Sequence, residues 1–253
     1  METLTCNCLG YDVYSGSLDQ ISASGPTIFS TINQYSYCLA ENDTNFRNAL
    51  QRSDVLLPDG VGIVMAAKFL DHHDIKKISG WDLHQHMLEK LNASGGSCFY
   101  LGSTPSTLEK IKSKLRREYP NIKVSHYSPP FKPEFNDADD QEMIDRINEA
   151  NPDVLFIGMT APKQEKWAIL HKQDLKAKYI CAIGAVFDFY SGNIKRPGQI
   201  WIDLGLEWLG RFVSEPKRLY KRYTVYGAFF AYRLLIEKMR RMISKRGPEG
   251  VLN

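Results

Sequence analysis

Residues 54–62, Asp54-Val55-Leu56-Leu57-Pro58-Asp59-Gly60-Val61-Gly62, limit the fold more than any other stretch. A short apolar run drives into a proline. One carboxylate and two glycines follow, and then a helix-like segment over 63–70. That order predicts a buried strand, a tight turn and a helix. In α/β proteins ligands gather where strands end at their carboxyl edge, so Asp59 stands where a working carboxylate belongs. Its rival role is a plain cap on the helix beginning near Val61.

The same succession recurs along the chain. Residues 1–26 are polar and broken by Gly10, Gly16 and Gly25-Pro26, which suits a short strand pair. A strand over 27–32 runs into a helix starting near Asn33, and a second helix is expected over 45–51. Asp82 is expected to cap a helix over 83–91. Further strands are predicted over 97–101, 122–127, 154–157 and 179–186. Helices are predicted over 106–119, over 139–150 and from about 162 to 171. Strand alternating with helix makes a parallel sheet covered on both faces. Right-handed crossovers then collect the strand-end loops on one edge.

Those loops hold Thr31 and Asn33, Asp59 and Gly60, residues 102–104, residues 158–164, and residues 187–192. Gly102 and Gly158 each lead toward a helix N-terminus, a place for a phosphate or simply for close packing. Neither fits the dinucleotide fingerprint or a P-loop. Asp188 follows an apolar run and reads equally as a ligand contact or a turn cap.

The net charge of +3 conceals an asymmetry. Eleven Lys/Arg stand against two acids between Arg211 and Arg246, which leaves 21 basic and 27 acidic residues elsewhere. A basic tail on a weakly acidic body points to a polyanionic partner, a membrane surface or a nucleic acid. In this tail Leu219, Tyr223, Tyr226, Phe230 and Leu234 recur at helical spacing. Such a stripe suits a helix lying in a membrane interface, and equally one packed on its own domain or on a second copy. Self-association is expected where no membrane is present. The uncharged run Val225 to Tyr232 is far short of the ~18–20 residues that span a bilayer.

Five scattered cysteines (6, 38, 98, 181 and 8) read as reduced thiols, and no leader pattern opens the sequence, so a cytoplasmic location is expected. Cys6-Asn7-Cys8 has no second ligand pair, and Asp71-His72-His73-Asp74 reads as a solvated loop. His84 and His86 point to different helix faces. Neither a metal nor a cofactor is expected.

Taken in order, certain segments resemble the WecG/TagA/CpsF family of bacterial glycosyltransferases. They are Thr31-Ile32-Asn33, residues 57–62, Ser79-Gly80-Trp81-Asp82-Leu83, Leu101-Gly102-Ser103, residues 127–131, residues 158–167, Gly184-Ala185-Val186-Phe187-Asp188, Arg196-Pro197 and Gly205-Leu206-Glu207-Trp208. The resemblance covers about residues 9–222. It implies a Rossmann-like α/β domain over 1–192, in halves 1–94 and 95–192. A basic amphipathic helical appendage over 193–253 would associate with the membrane. It implies an inverting, metal-independent transferase peripheral to the inner face of the plasma membrane. Such an enzyme moves N-acetylmannosamine or a relative from a UDP-sugar to an undecaprenyl-diphosphate-linked sugar for a cell-surface polysaccharide. On this resemblance Asp59 matches the general base and Thr31 a site threonine, with Asn33 beside it. Gln164 matches a nucleotide contact, and Gly102 and Ser103 stand ready for backbone donation. Arg211, Arg218 and Lys221 or Arg222 match appendage cations. Lys77 stands where the family commonly has arginine, so it keeps the charge and loses the bidentate fork.

Two readings of other classes compete. The basic tail could serve a nucleic-acid-binding protein, although a one-sided helical stripe suits a planar interface better, and no nucleic acid is expected as partner. A nicotinamide-dependent oxidoreductase lacks its fingerprint.

Overall fold

The computed structural model describes residues 4–22, 25–195, 198, 209, 212 and 216–244. An antiparallel pair, β1 (Thr5–Cys8) and β2 (Tyr11–Tyr14), comes first. The apolar runs then become β3 (Thr27–Ile32), β4 (Val55–Pro58), β5 (Ser97–Gly102), β6 (Lys123–Tyr127), β7 (Val154–Gly158) and β8 (Tyr179–Ala182). They form one six-stranded sheet in the order β4-β3-β8-β7-β5-β6, with every pairing parallel. The expected α/β architecture is therefore present.

Alternation along each strand feeds both faces. Cys98, Tyr100, Val154 and Phe156 enter one cluster with α4 (Gly80–Ser94), α5 (Pro105–Glu118) and α8 (Val186–Ser191). Phe99, Leu101, Leu155 and Ile157 enter the opposite cluster with α6 (Asp137–Ala150) and α7 (Lys163–Leu170). His84 is fully buried in the first cluster, with Nε2 2.7 Å from the Tyr100 hydroxyl, and burial pulls its pKa down to about 3. A third cluster sits at the β3–β4 end of the sheet. It joins the β1–β2 pair, α1 (Gln34–Ala40), α2 (Thr44–Gln51) and α3 (Val61–Asp71).

Two expectations need correction. The strand predicted over 179–186 stops at Ala182, and residues 186–191 are helical, so Asp188 lies on α8 and not in a loop. Gly184, at φ +52°, breaks the strand there. The run looked continuous because α8 buries Val186, Phe187 and Tyr190. In α4 the N-cap is Ser79, and Asp82 is its partner in a capping box.

The tail supplies α9 (Pro216–Tyr223) and α10 (Val225–Ser244). The stripe singled out above faces inward. Leu219 and Phe230 are buried, and Tyr226, Phe230 and Leu234 join the third cluster. Three tail cations also turn inward. Arg233 pairs with Glu41 and donates to the Tyr37 hydroxyl. Lys238 donates to Phe69 O and Leu70 O at 2.6 and 3.0 Å, capping α3. Arg241 pairs with Asp71 and Glu237. The opposite face of α10 is a second apolar stripe: Phe229, Tyr232, Leu235, Met239, Met242 and Ile243 are all exposed. The lipid-facing reading of the first stripe is thus overturned. Packing on its own domain accounts for it.

Phe230 meets Tyr37 edge-on at 5.4 Å. Truncating it to Ala removes about 3–5 kcal/mol of docking energy. Amide exchange in α10 should then accelerate by about 100-fold or more while the sheet keeps its protection. Equal loss of protection in β5 and β7 would show that α10 is no separate docking unit.

Candidate active site at the carboxyl edge of the sheet

β3 and β4 run in register with Thr31 opposite Leu57 and Ile32 opposite Pro58. Beyond the last pair the ladder continues for one bond. Asp59 N–H donates to Ile32 O at 2.9 Å, and Pro58 O accepts from Ile78 N–H at 3.0 Å. The turn is therefore pinned on both sides. Gly60 follows at φ +120°, a conformation that glycine alone adopts without strain, and it occupies the N-cap of α3. Asp59 precedes the cap position. The residue is half-buried and stands just ahead of the positive end of the α3 dipole.

Thr31, on the adjacent strand, is half-buried at the same edge. Asn33 caps α1. Its Oδ1 accepts from Tyr35 N–H and Ser36 N–H, both at 3.0 Å. A ligand can therefore use only the amide nitrogen of Asn33. Gln34 was missed in the sequence. A Cβ at Gly62 would lie 3.0 Å from Gln34 Oε1, and one at Gly60 3.4 Å. The glycines thus make room for this side chain over the Asp59 turn. Gln34 Oε1 is buried there without a hydrogen-bond partner among the described residues. The Gly60-Val61-Gly62 spacing was the only available signal. The Ile78 bond brings half-buried Lys77 alongside the turn.

Gly102 and Gly158 sit opposite each other on β5 and β7. A Cβ at Gly102, where φ is +114°, would lie 2.6 Å from Gly158 O, so this glycine is required by the neighbouring strand. Ser103, also at positive φ, has its carbonyl held by Ser128 Oγ at 2.7 Å. Gln164 is 4% exposed. Its Oε1 accepts from Met159 N–H at 3.2 Å and its Nε2 donates to Glu165 Oε1 at 2.8 Å. This amide braces the loop after β7. Glu165 is fully buried and burial pushes its pKa up to about 7. Asp188 is half-buried, and its carbonyl accepts from Ile194 N–H at 3.1 Å.

The candidates form two groups. Thr31, Asn33, Asp59 and Lys77 gather at β3–β4. Gly102, Ser103 and Gln164 gather at β5–β7, two to three strand spacings away from β3, or about 10–15 Å. Of the tail cations, Arg222 lies over the Tyr35 ring of α1, with Cζ 4.4 Å from the ring centroid. Lys221 is exposed. Arg211 and the side chain of Arg218 lie outside the described residues. His72, His73 and Asp74 are exposed, and the described residues contain no cluster of three His, Cys, Asp or Glu able to hold a metal.

Residues 5–244 match the model of the glycosyl transferase WecG/TagA/CpsF family. An N-acetylglucosaminyldiphosphoundecaprenol N-acetyl-beta-D-mannosaminyltransferase from Bacillus subtilis (strain 168) is 30% identical over 192 residues, covering 76% of this chain and 73% of that protein. Proteins of the same name from Bacillus spizizenii and Staphylococcus aureus (strain MRSA252) are 27% and 28% identical, over 71% and 78% of this chain and 68% and 74% of theirs.

Glu165 also makes a prediction about stability. A carboxyl whose pKa is raised on folding binds its proton more tightly in the native state. It stabilises fully below its unfolded pKa and loses that contribution as pH rises through about 7. The stability advantage of Glu165→Gln over the parent should therefore widen from about pH 4.5 to 7 in denaturant titrations. A gap that stays constant across that window would place the carboxyl in a polar environment.

Proposed function

The chain belongs to the glycosyl transferase WecG/TagA/CpsF family, and from that premise we propose that it transfers N-acetylmannosamine or a relative from a UDP-sugar to a lipid-diphosphate-linked sugar. The product would feed a cell-surface polysaccharide. The names of its relatives specify an N-acetylglucosaminyldiphosphoundecaprenol acceptor and an N-acetyl-beta-D-mannosaminyl group transferred to it. A β linkage is the inverted outcome when the donor nucleotide is α-linked.

Inversion in one displacement needs a single base. The acceptor hydroxyl loses its proton as its oxygen attacks the anomeric carbon and UDP departs. Asp59 is that base in this reading. The observation that supports it is the doubly pinned turn, which holds the backbone of Asp59 at the strand edge beside Thr31 and the Lys77 segment. Thr31 orients the reacting sugar, and Asn33 contributes through its amide nitrogen. The chemistry uses no metal. Charge on the departing diphosphate is met by Lys77, by backbone N–H groups at Gly102 and Ser103, and by appendage cations drawn from Arg211, Arg218, Lys221 and Arg222. Gln164 and Asp188 shape the donor side. The two groups along the edge suit a nucleotide-sugar lying across β3, β8, β7 and β5.

Residues 193–253 form the membrane-associating appendage, and the enzyme works from the cytoplasmic surface. Support comes from the outward stripe of α10, with Met65 and Phe69 of α3 exposed as well. No described helix is long and apolar enough to cross a membrane. A nucleic-acid-binding role for the tail is disfavoured because Arg233, Lys238 and Arg241 are directed at the body.

Two measurements test these claims. With a UDP-sugar panel and a short-chain lipid-diphosphate-GlcNAc acceptor, Asp59→Asn should lower kcat by about 10²–10⁴-fold. UDP binding and melting temperature should hold. Near-normal turnover would remove Asp59 from the role of base. For the appendage, the triple change Tyr232→Ser, Leu235→Ser and Met239→Ser should weaken flotation with phosphatidylglycerol liposomes well over tenfold, since each such side chain contributes about 1.5–3 kcal/mol when buried. Undiminished flotation would refute membrane contact through this face.

A further inference from the structure

We infer that Glu165 is a positioning residue, which acts through the side-chain amide of Gln164 to hold the loop after β7 in the shape that receives the donor nucleotide. The identity of that ligand rests on the transferase reading above; the relay of contacts does not.

Four contacts carry the inference. Gln164 Nε2 donates to Glu165 Oε1 at 2.8 Å, and Gln164 Oε1 accepts from Met159 N–H at 3.2 Å. Met159 in turn packs on the neighbouring strand end: its Cγ lies 3.3 Å from the point that a Cβ at Gly102 would occupy. Gly102 stands opposite Gly158 across β5 and β7. Lys163 N–H donates to Thr160 O at 3.0 Å and closes the loop between β7 and α7. The relay thus runs from the first turn of α7, through the loop, to the paired glycines at the sheet edge.

The chemistry gives the relay a direction. A backbone N–H only donates, so Met159 selects the oxygen end of the amide. A carboxylate oxygen accepts, so Glu165 selects the nitrogen end. Both partners fix the same orientation of Gln164, which a residue without an acceptor at 165 would leave to one bond. Gln164 is buried and both ends of its amide are engaged inside the protein, so its effect on a ligand passes through the loop it holds. Plain packing does not account for the glutamate. Glu165 is 2% exposed, in the same helix as buried Trp167 and Ala168, and its Oε2 has no partner among the described residues. Burying a carboxyl with one oxygen unpaired costs stability that an apolar side chain of the same size would not. The hydrogen bond that this side chain does make is the one to Gln164.

The test uses the full chain and separates the relay from the reaction. Without ligand, amide exchange at Met159 should accelerate about 3- to 10-fold in Glu165→Leu, which has similar bulk and no acceptor. It should keep the parent rate in Glu165→Gln, whose side-chain oxygen still accepts from Gln164. In transfer assays with the UDP-sugar panel and the short-chain acceptor, Glu165→Leu should raise the donor KM by about 3- to 10-fold. Acceptor KM and saturated kcat should hold, and Glu165→Gln should restore the donor KM. In a Gln164→Ala background, Glu165→Leu should add nothing further. Protection by UDP in thermal shifts, which needs binding and no reaction, should fall in Glu165→Leu and return in Glu165→Gln. Glu165→Met takes the place of Glu165→Leu if melting temperatures show that the latter does not fold. Unchanged Met159 exchange, an equal rise in acceptor KM, or additive losses from Gln164→Ala and Glu165→Leu would overturn the inference. Exchange and UDP protection that respond as stated, with no transfer by the parent from any UDP-sugar, would sink the transferase reading and leave the relay standing. Transfer by the parent with neither response would do the reverse.

Discussion

Pro58 offers a carbonyl and no N–H, and much of the site depends on how that asymmetry is used. It ends β4, which is an edge strand, where a missing donor breaks no ladder. Its carbonyl accepts from Ile78, and the next N–H in the chain, from Asp59, bonds back to Ile32 on the neighbouring strand. Two backbone bonds therefore hold one dipeptide between a strand and the approach to α4. Gly60 then turns the chain into α3 through a conformation closed to other residues. A backbone pinned in this way sets the point from which the Asp59 side chain leaves the turn.

The alternation of strand and helix was legible in the sequence because β4, β5, β7 and β8 are buried along nearly their whole length and read as apolar runs. The Asn33 start of α1 was legible for a similar reason, since Asn is a strong cap and the helix follows at once. The same property made α8 illegible. Val186, Phe187 and Tyr190 are as buried as the strand before them, and only Gly184 marks the change. Asp82 was misplaced because a capping box has two polar residues, and a sequence does not say which is the cap and which the N3 partner.

Long-range pairing was the harder part. The partners of Arg233, Lys238 and Arg241 on the body lie about 170–195 positions away, in α3, in α1 and just past its end, and no local pattern could announce them. The stripe of α9 and α10 was legible as a stripe, while its neighbour (lipid, its own domain or a second copy) was left open, because periodicity gives a face and not what covers it. Gln34 escaped notice because an isolated glutamine carries no signal. Its position becomes telling only when Gly60 and Gly62 are seen to clear space for it.

α3 is an 11-residue rod, about 16 Å long. One end begins at the Gly60 turn and the other is capped by Lys238 from α10. A rod clamped at its far end does not pivot freely at its near end. Whatever fixes the tilt of α10 relative to the body therefore also limits how far the Asp59 turn can swing. The appendage is in this sense part of the bearing on which the catalytic carboxylate is mounted, and removing it would change the stiffness of the turn as well as the adhesion of the protein.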